Sequence, residues 1–493
     1  MPVRWRPAGG PVLVALVAVA LGLPALAWPA DTLDELILLV YPIRMLDGDL
    51  PYRDFFTIYG PAHWWLLEGS YALTSPLLLV ARLVGLTVHV GLALGTYALA
   101  RSAGRPTATV CGVLSALLMF RLGDAPYAWL TAAALCVWQV VLLIRESATA
   151  RMTVVAGLCA GLALSVRPDV LPLVMLPAVC LLLKRARWRA WAAGLTIGLV
   201  PLLLGLALSA GPLVNDIFVG RAGKAAGQSR LPLMPSGQAA QELLFVLLLA
   251  VICLVAHAYL LRTRGAVALL LLALATLPQA LQRLDLAHLT YSGLLFLPLL
   301  PVVLRQIGAH LSYRGQAPVV IGTTLVLLGL AGSSGYPLVE ELVGRGPTTT
   351  VVTHDGRSLR LSSATAGSVR EVLAAIDERS TPGETVFVFD KDLVRPALND
   401  VRLYYLLPRL RQTAKHVEVT LGISNASGSG LVDDLLSADV VVLLDLPPGF
   451  RHQLYPYEKD GSQEATQALD RTFCQVAEVS YYEIYRRCGE AGR

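Results

Sequence analysis

Long apolar stretches separated by short polar loops fill the first two thirds of the chain. Each approaches the roughly 20 residues that an α-helix needs to cross the hydrocarbon of a bilayer. Hydrophobic residues make up 55% of the sequence and charged residues 15%, against about 25% charged in soluble domains. The sequence therefore predicts an α-helical polytopic membrane protein with about eleven spans, near 11–29, 76–100, 107–120, 126–144, 152–166, 170–183, 190–210, 239–261, 265–281, 289–304 and 318–335.

The charges in the loops predict how these spans are oriented, because Lys and Arg near span ends are retained in the cytoplasm. With the N-terminus inside, the inner loops carry fourteen bases and one acid, Glu146, whereas the outer loops carry eight bases and twelve acids. The first stretch also has features of a cleaved signal peptide, with Arg4 and Arg6 before the apolar run, but that run is longer than the usual core of about 7 to 15 residues. In both cases the acids that follow it face outward.

The composition changes near residue 336, where we place the boundary between a transmembrane domain, 1–335, and an extracytoplasmic α/β domain, 336–493. Two runs, Thr385–Asp390 and Ala438–Asp445, are mostly apolar, as strands covered on both faces tend to be. The run Val476–Arg486 predicts an edge strand. Neither of the first two strands is followed by a glycine-rich phosphate loop, which argues against nucleotide binding.

Cysteines are divided between the two parts of the chain. Five lie in apolar spans, where cysteine is usually a small core residue. Only Cys474 and Cys488 lie in the outer domain. A pair in an oxidising compartment suggests a disulfide, although two free thiols are the alternative, because the sequence does not give their separation.

The loop between Asp31 and Pro61 is the segment in which the sequence indicates chemical roles most clearly. We predict an interfacial helix from Leu33 to Leu46, followed by turns at Asp47-Gly48-Asp49 and Tyr59-Gly60-Pro61. Asp47 and Asp49 lie in a predicted solvated turn, where aspartate is common, so their presence needs no functional explanation. Asp34 and Glu35 differ, because a carboxylate near the end of a span costs on the order of 3 kcal/mol in hydrocarbon and needs a partner or a function.

The chain resembles the GT-C superfamily of polytopic glycosyltransferases, in particular its bacterial protein mannosyltransferase and aminoarabinose transferase branch. The resemblance rests on Asp34-Glu35, on the run from Gly48 to Phe55, on Tyr59-Gly60-Pro61, on Arg82 and on the layout of many spans followed by an outer domain. It implies inverting transfer of a sugar from a polyprenyl-phosphate donor, with a first-loop aspartate as general base. The position that matches this base is Asp34.

A sugar on a lipid phosphate already has a competent leaving group, so one carboxylate is sufficient to deprotonate the acceptor hydroxyl. Charge that develops on the departing phosphate calls for cations at the outer rim. We expect Asp54 and Tyr59 of the loop motif to contact substrate, and the other candidates are the outer bases and the Arg-x-Asp-x-x-His group of a short outer loop: Arg82, Arg167, Arg221, Lys224, Arg230, Arg283, Asp285 and His288.

Some of these candidates have a structural alternative. Arg283 and Asp285 could form a self-satisfied pair, Arg167-Pro168-Asp169 could be a structural turn, and Arg82 could reach the interface by snorkelling. Glu35 would support Asp34 by orienting the acceptor or a divalent metal ion, and the sequence identifies no cofactor. The expected partners are a polyprenyl-phosphate sugar, a glycan, lipid or protein acceptor and membrane lipids, with no nucleic acid.

Two other functions remain open on the sequence alone. A lipid-linked glycan transporter or flippase would carry ionisable groups near the bilayer midplane, often with internal repeats. We find no repeat, and the charges gather at the outer rim. A noncatalytic cell-envelope assembly protein with a degenerate transferase fold is the second alternative.

Overall fold

A computed structural model of the chain describes residues 9–30, 33–145, 147–182, 187–219, 243, 245–254, 263–282, 286–303, 348–420, 422–445 and 461–489. The predicted span 318–335 and the predicted domain boundary at 336 lie outside these residues. The same holds for five predicted site residues, Arg221, Lys224, Arg230, Arg283 and Asp285.

Among the described residues up to 303, the regular structure is helical apart from one isolated β-bridge between Pro51 and Phe55. The helices are α1 (Gly9–Ala25), α2 (Leu33–Leu46), α3 (Pro61–Leu73), α4 (Leu78–Ala100), α5 (Arg105–Phe120), α6 (Ala128–Leu143), α7 (Ala150–Val166), α8 (Leu171–Leu182), α9 (Trp188–Gly198), α10 (Val200–Val214), α11 (Phe245–Leu254), α12 (Arg264–Leu274), α13 (Leu277–Gln282) and α14 (Leu286–Phe296). The predicted interfacial helix coincides with α2.

The count of eleven spans is not confirmed by the part of the chain that the structure describes. Three helical stretches there are long and apolar enough to cross a membrane, Leu78–Ala103, Val200–Val219 and Arg264–Leu281. Shorter apolar helices of 10 to 17 residues occupy the positions of other predicted spans, including Gly9–Ala25 and Ala150–Val166.

Glycines bring α7 and α9 into close contact. A Cβ atom at Gly157 would overlap the carbonyl oxygen of Trp191, and one at Gly194 would overlap that of Val154. Small residues spaced four apart allow two helix backbones to approach each other in this way. The tight α7–α9 contact fixes the end of α7, which carries Arg167.

The C-terminal part is an α/β layer. Its strands are β1 (Thr349–His354), β2 (Arg357–Ser362), β3 (Thr385–Asp390), β4 (Arg411–Gln412), β5 (Val440–Leu444), β6 (Phe473–Val479) and β7 (Tyr482–Arg487), and its helices are α15 (Ser363–Asp377), α16 (Val401–Leu406), α17 (Leu431–Leu436) and α18 (Glu464–Thr472). β1 and β2 pair as a hairpin, and the other five strands form one sheet in the order β4-β3-β5-β7-β6. β3 and β5, the two apolar runs of the sequence, are parallel neighbours near the centre of the sheet.

The prediction of one edge strand at Val476–Arg486 is wrong. The chain reverses at Ser480, whose φ of 55° is left-handed, and forms the antiparallel pair β6–β7. β7 lies inside the sheet beside β5, and β6 is the edge. Cys474 and Cys488 form the disulfide, with Cα atoms 5.0 Å apart.

The helix α2 belongs to the core of the C-terminal domain. Leu36, Ile37 and Val40 are buried in one hydrophobic cluster with Val388 of β3 and Val442 of β5. This explains why α2 is apolar nearly all round, because the domain covers the face that a surface helix would expose.

Hydrogen bonds extend this contact into the loop after α2. The Tyr41 hydroxyl donates to the carbonyl of Phe56 at 2.8 Å and accepts from the backbone N–H of Glu418 at 2.9 Å. Arg44 Nη1 donates to the carbonyl of Ala414 at 2.7 Å. The first loop and the C-terminal domain therefore lie on one face of the helical bundle.

Candidate active site

A buried ion pair lies at the start of the first loop. Arg82, in the first turns of α4, donates from Nε to Glu35 Oε1 at 2.7 Å and from Nη2 to Glu35 Oε2 at 2.8 Å. The two side chains are 4% and 6% exposed. Two parallel bonds between a guanidinium and a carboxylate give a strong and geometrically specific contact.

The remaining donors of Arg82 hold the chain between α1 and α2. Nη1 donates to the carbonyls of Leu26 and Trp28, and Nη2 donates to that of Pro29. All five guanidinium N–H groups are thus engaged within the protein. This geometry disfavours the prediction that Arg82 binds phosphate, and Glu35, with both oxygens on Arg82, is not placed as a metal ligand.

Asp34 precedes this buried pair and is itself exposed. Its carboxylate lies within electrostatic range of the Tyr291 hydroxyl on α14, as do Tyr59 and the Arg167 guanidinium. The ring of His288 lies 5.8 Å from that of Tyr291. Four predicted site residues, from the first loop, the end of α7 and α14, therefore lie within electrostatic or ring-contact range of one tyrosine.

Arg167 presents a partly unsatisfied guanidinium to this cluster. Its Nε donates to the carboxylate of Asp169 at 2.9 Å and 3.1 Å, and its guanidinium lies 6.0 Å from the centre of the Tyr59 ring. Nη1 and Nη2 have no hydrogen bond among the described residues, although Arg167 is only 5% exposed. A buried cation with unused donors is suited to an anionic ligand, since burial without one is costly.

The Tyr59-Gly60-Pro61 motif joins the first loop to Arg167. The Gly60 N–H donates to the carbonyl of Val166 at 2.8 Å, and a Cβ atom at Gly60 would overlap the carbonyl oxygen of Ser165. Glycine is required here because the loop backbone touches the end of α7. The contact sets Tyr59 beside Arg167.

Comparison with solved structures gives matches that extend over nearly the whole chain, among them two structures of one protein. The crystal structure of ArnT from Cupriavidus metallidurans bound to undecaprenyl phosphate aligns with a TM-score of 0.61 and 15% identity, over 99% of this chain and 100% of that one. The apo structure of the same protein aligns with a TM-score of 0.55 and 16% identity, over 98% of each chain. This chain has the ArnT fold. No protein-family model and no curated protein matches the sequence.

The ArnT fold agrees with the predicted order of many helices followed by a C-terminal α/β domain. At 15% identity the likeness concerns the fold. The roles of individual side chains therefore rest on the geometry around Tyr291.

Asp54 has loop partners of its own. Its carboxylate accepts from the Leu50 N–H at 2.7 Å and from Arg53 Nη2 at 2.7 Å. The bond from Arg53 helps to hold the pKa of Asp54 below its ordinary value. Asp49 likewise accepts from Arg44 Nε at 2.6 Å. These hydrogen bonds stabilise the turn formed by the Gly48–Phe55 run. Contact between Asp54 and substrate stays a prediction.

Two further features were not predicted as parts of the site. Tyr291 is at its centre and stacks on Trp129 at 4.8 Å. The available signal was its position three residues after His288, on the same helix face. His89 of α4 is buried and pairs with the buried Asp124 at 3.2 Å.

Metal binding finds no support from clustered ligands. In the parts of the chain that the structure describes, no group of three or more His, Cys, Asp or Glu side chains is placed to hold a metal ion.

Proposed function

We propose that the chain is a membrane glycosyltransferase that moves a sugar from a polyprenyl-phosphate donor to an acceptor on the outer face of the cytoplasmic membrane. The observation that carries this proposal is that an exposed carboxylate, Asp34, and a cation with unused donors, Arg167, both lie within electrostatic range of the Tyr291 hydroxyl. The chain shares its fold with an ArnT whose structure holds undecaprenyl phosphate. General-base and phosphate-binding groups are the two that this transfer requires.

In this mechanism Asp34 accepts the proton of an acceptor hydroxyl as its oxygen attacks the anomeric carbon. The bond from that carbon to the phosphate oxygen breaks, and its electron pair stays on the lipid phosphate. Attack opposite the leaving group inverts the anomeric centre. Arg167 stabilises the charge that develops on the phosphate, because its unused N–H groups are fixed before the reaction and need little reorganisation.

Glu35 and Arg82 have a positioning role in this proposal. Their ion pair fixes the first turn of α2 against the end of α1, and Asp34 lies in that turn. His288 and Tyr59 line the same cluster as candidate substrate contacts. The outer bases Arg221, Lys224 and Arg283 remain predicted phosphate ligands, and Asp285 a predicted substrate contact.

Replacing Asp34 with Asn tests the general base. It keeps the side-chain shape and removes the proton acceptor, so transfer should fall by about 10² to 10⁴, while binding of a polyprenyl-phosphate sugar is preserved. Asp47→Asn is the matched control, because Asp47 is an exposed loop residue. Full transfer by the Asp34 variant would refute the assignment, and failure of the wild type to bind any polyprenyl-phosphate sugar would refute the transferase class.

Replacing Arg167 with Gln tests phosphate binding separately. The loss of charge-assisted bonds to phosphate should raise the donor KM about tenfold or more. Arg53→Gln is the control, because Arg53 is an exposed arginine of the first loop, and this variant should leave the donor KM unchanged. A destabilised Arg167 variant with an unchanged donor KM would show that Arg167 only anchors the end of α7.

We also propose that the N-terminus is cytoplasmic and that residues 336–493 lie outside the membrane. The charge alternation of the loops supports this orientation. A reporter that is active only in the cytoplasm, fused after Arg493, should be silent. Strong activity of that reporter would place the domain, and with it the first loop, on the cytoplasmic side.

A further inference from the structure

An open cavity of about 600 Å³ lies in the C-terminal domain, apart from the Tyr291 cluster. Its wall is formed by the glycine- and serine-rich turn before α17, by the first turn of α17 and by the start of α18. The lining includes the polar side chains of Lys415, Asn425, Ser429, Asp433, Asp434 and Glu464, together with apolar side chains such as Leu431, Val432 and Ala465.

The charged groups of this cavity are not paired with one another. The Lys415 ammonium and the Asp433 carboxylate make no hydrogen bond or ion pair within the described chain. Glu464 accepts one hydrogen bond, from the Ser427 hydroxyl at 2.9 Å, and no basic side chain in the described residues pairs with it. The cavity therefore offers both a donor and acceptors to a ligand.

Asp434 is the better satisfied of the acids. It accepts from the backbone N–H of Lys415 at 2.6 Å, and burial raises its pKa to about 6. Counting Asp433, Asp434 and Glu464 against Lys415, the lining has an excess of negative charge at neutral pH. Such a lining repels anions and attracts a ligand that carries an amine.

The segment that lines one side of the cavity also packs against the first loop. The Phe56 N–H donates to the carbonyl of Lys415 at 2.9 Å, and the Phe56 ring lies 5.2 Å from the ring of His416. His416 Nε2 bonds the carbonyl of Ser429, which lines the cavity, at 3.0 Å. One short segment, 414–418, thus separates the cavity from the loop that carries Asp34.

We propose that this cavity binds an amino-sugar unit of the acceptor glycan, with its hydroxyls on Lys415 and its ammonium on Asp433 and Glu464. A sugar hydroxyl both donates and accepts, so it matches a lining that holds donors and acceptors. An ammonium between two carboxylates gains charge-assisted hydrogen bonds. This proposal rests on the proposed transferase function in one respect only, namely that the bound sugar belongs to an acceptor.

Saturation-transfer difference NMR on the full chain in detergent micelles tests the site, with Asp34→Asn present to suppress turnover. Three probes separate the charge argument from simple sugar binding: glucosamine, glucose and glucose 6-phosphate. We expect affinity to fall in that order. Glu464→Gln should weaken glucosamine binding about tenfold, whereas Glu371→Gln, on an exposed part of α15, should not change it.

Tightest binding of glucose 6-phosphate, or glucosamine binding that Asp433→Asn and Glu464→Gln leave unchanged, would overturn the proposal. Because binding is measured without transfer, the two hypotheses fail separately. Glucosamine binding that depends on Glu464 would support the cavity even in a chain that transfers no sugar, and active transfer without such binding would refute the cavity alone.

Discussion

The Glu35–Arg82 pair allows a quantitative test of how the first loop is held. Both side chains are nearly fully buried, with 6% and 4% of their surface exposed. Glu35→Leu leaves the Arg82 charge buried without its partner, which typically costs about 3–5 kcal/mol. Arg82→Met strands the Glu35 carboxylate at a similar cost, and it also removes the donors of three backbone carbonyls.

The double variant leaves no buried charge at this site and loses only the three bonds to carbonyls. We therefore expect it to be more stable than the sum of the single variants predicts, by about 3 kcal/mol. Equilibrium unfolding in mixed micelles measures all four proteins of the cycle. The exposed pair Glu378–Arg379, at 71% and 31% side-chain exposure, is the control, and its coupling should stay below about 1 kcal/mol.

Additive effects of Glu35→Leu and Arg82→Met would refute the reasoning, because they would mean that the close geometry carries no coupling energy. Activity provides a second readout. If the pair positions Asp34, a folded Glu35→Gln variant should lose kcat while its donor KM stays the same. A selective rise in donor KM would instead assign Glu35 to substrate binding.

Two further predictions concern packing and pH. Gly194→Ala should destabilise the chain by about 1–3 kcal/mol in the same unfolding assay, since its methyl group would overlap a backbone carbonyl of α7; Gly211→Ala, which has open space around it, should be nearly neutral, and equal effects would contradict the packing argument. Burial opposes the charged form of His354, but hydrogen bonds to Asp377 and to a carbonyl, together with nearby carboxylates, raise its pKa. The stabilisation that charged His354 gives the folded chain should thus be fully present below the unfolded pKa of about 6.5 and be lost as pH rises through the folded pKa. His354→Gln should therefore lower the melting temperature more at pH 6 than at pH 9. A difference in melting temperature that does not depend on pH would exclude this linkage.

Local signals in the sequence were sufficient for several elements. The apolar run and the turn after it gave α2 with its observed ends, and the mostly apolar run Thr385–Asp390 is β3 as predicted. Both are short segments in which consecutive residues are mostly apolar, so the local sequence indicates that they are buried. The C-terminal hairpin was missed because alternation continues across Ser480, and only a left-handed backbone at that residue reverses the chain.

Side-chain partners far apart in the chain could not be predicted. Glu35 and Arg82 are separated by 47 positions, so Arg82 had no acid nearby in sequence and was assigned to phosphate. Pro168 suggested that Arg167 belongs to a structural turn, but the sequence does not show that two of its nitrogens lack partners. Tyr291 was overlooked because a single tyrosine in an apolar span usually indicates packing.

The burial of α2 in the core of the C-terminal domain has a consequence for biosynthesis. Residues 33–46 leave the ribosome early, whereas the strands that cover them are made near the end of the chain. At about 5–20 residues per second, α2 waits roughly 20 to 70 seconds for α16. During that interval the loop carrying Asp34 lacks the surface that shapes it. Completion of the last domain would therefore set the time at which the proposed transferase activity begins.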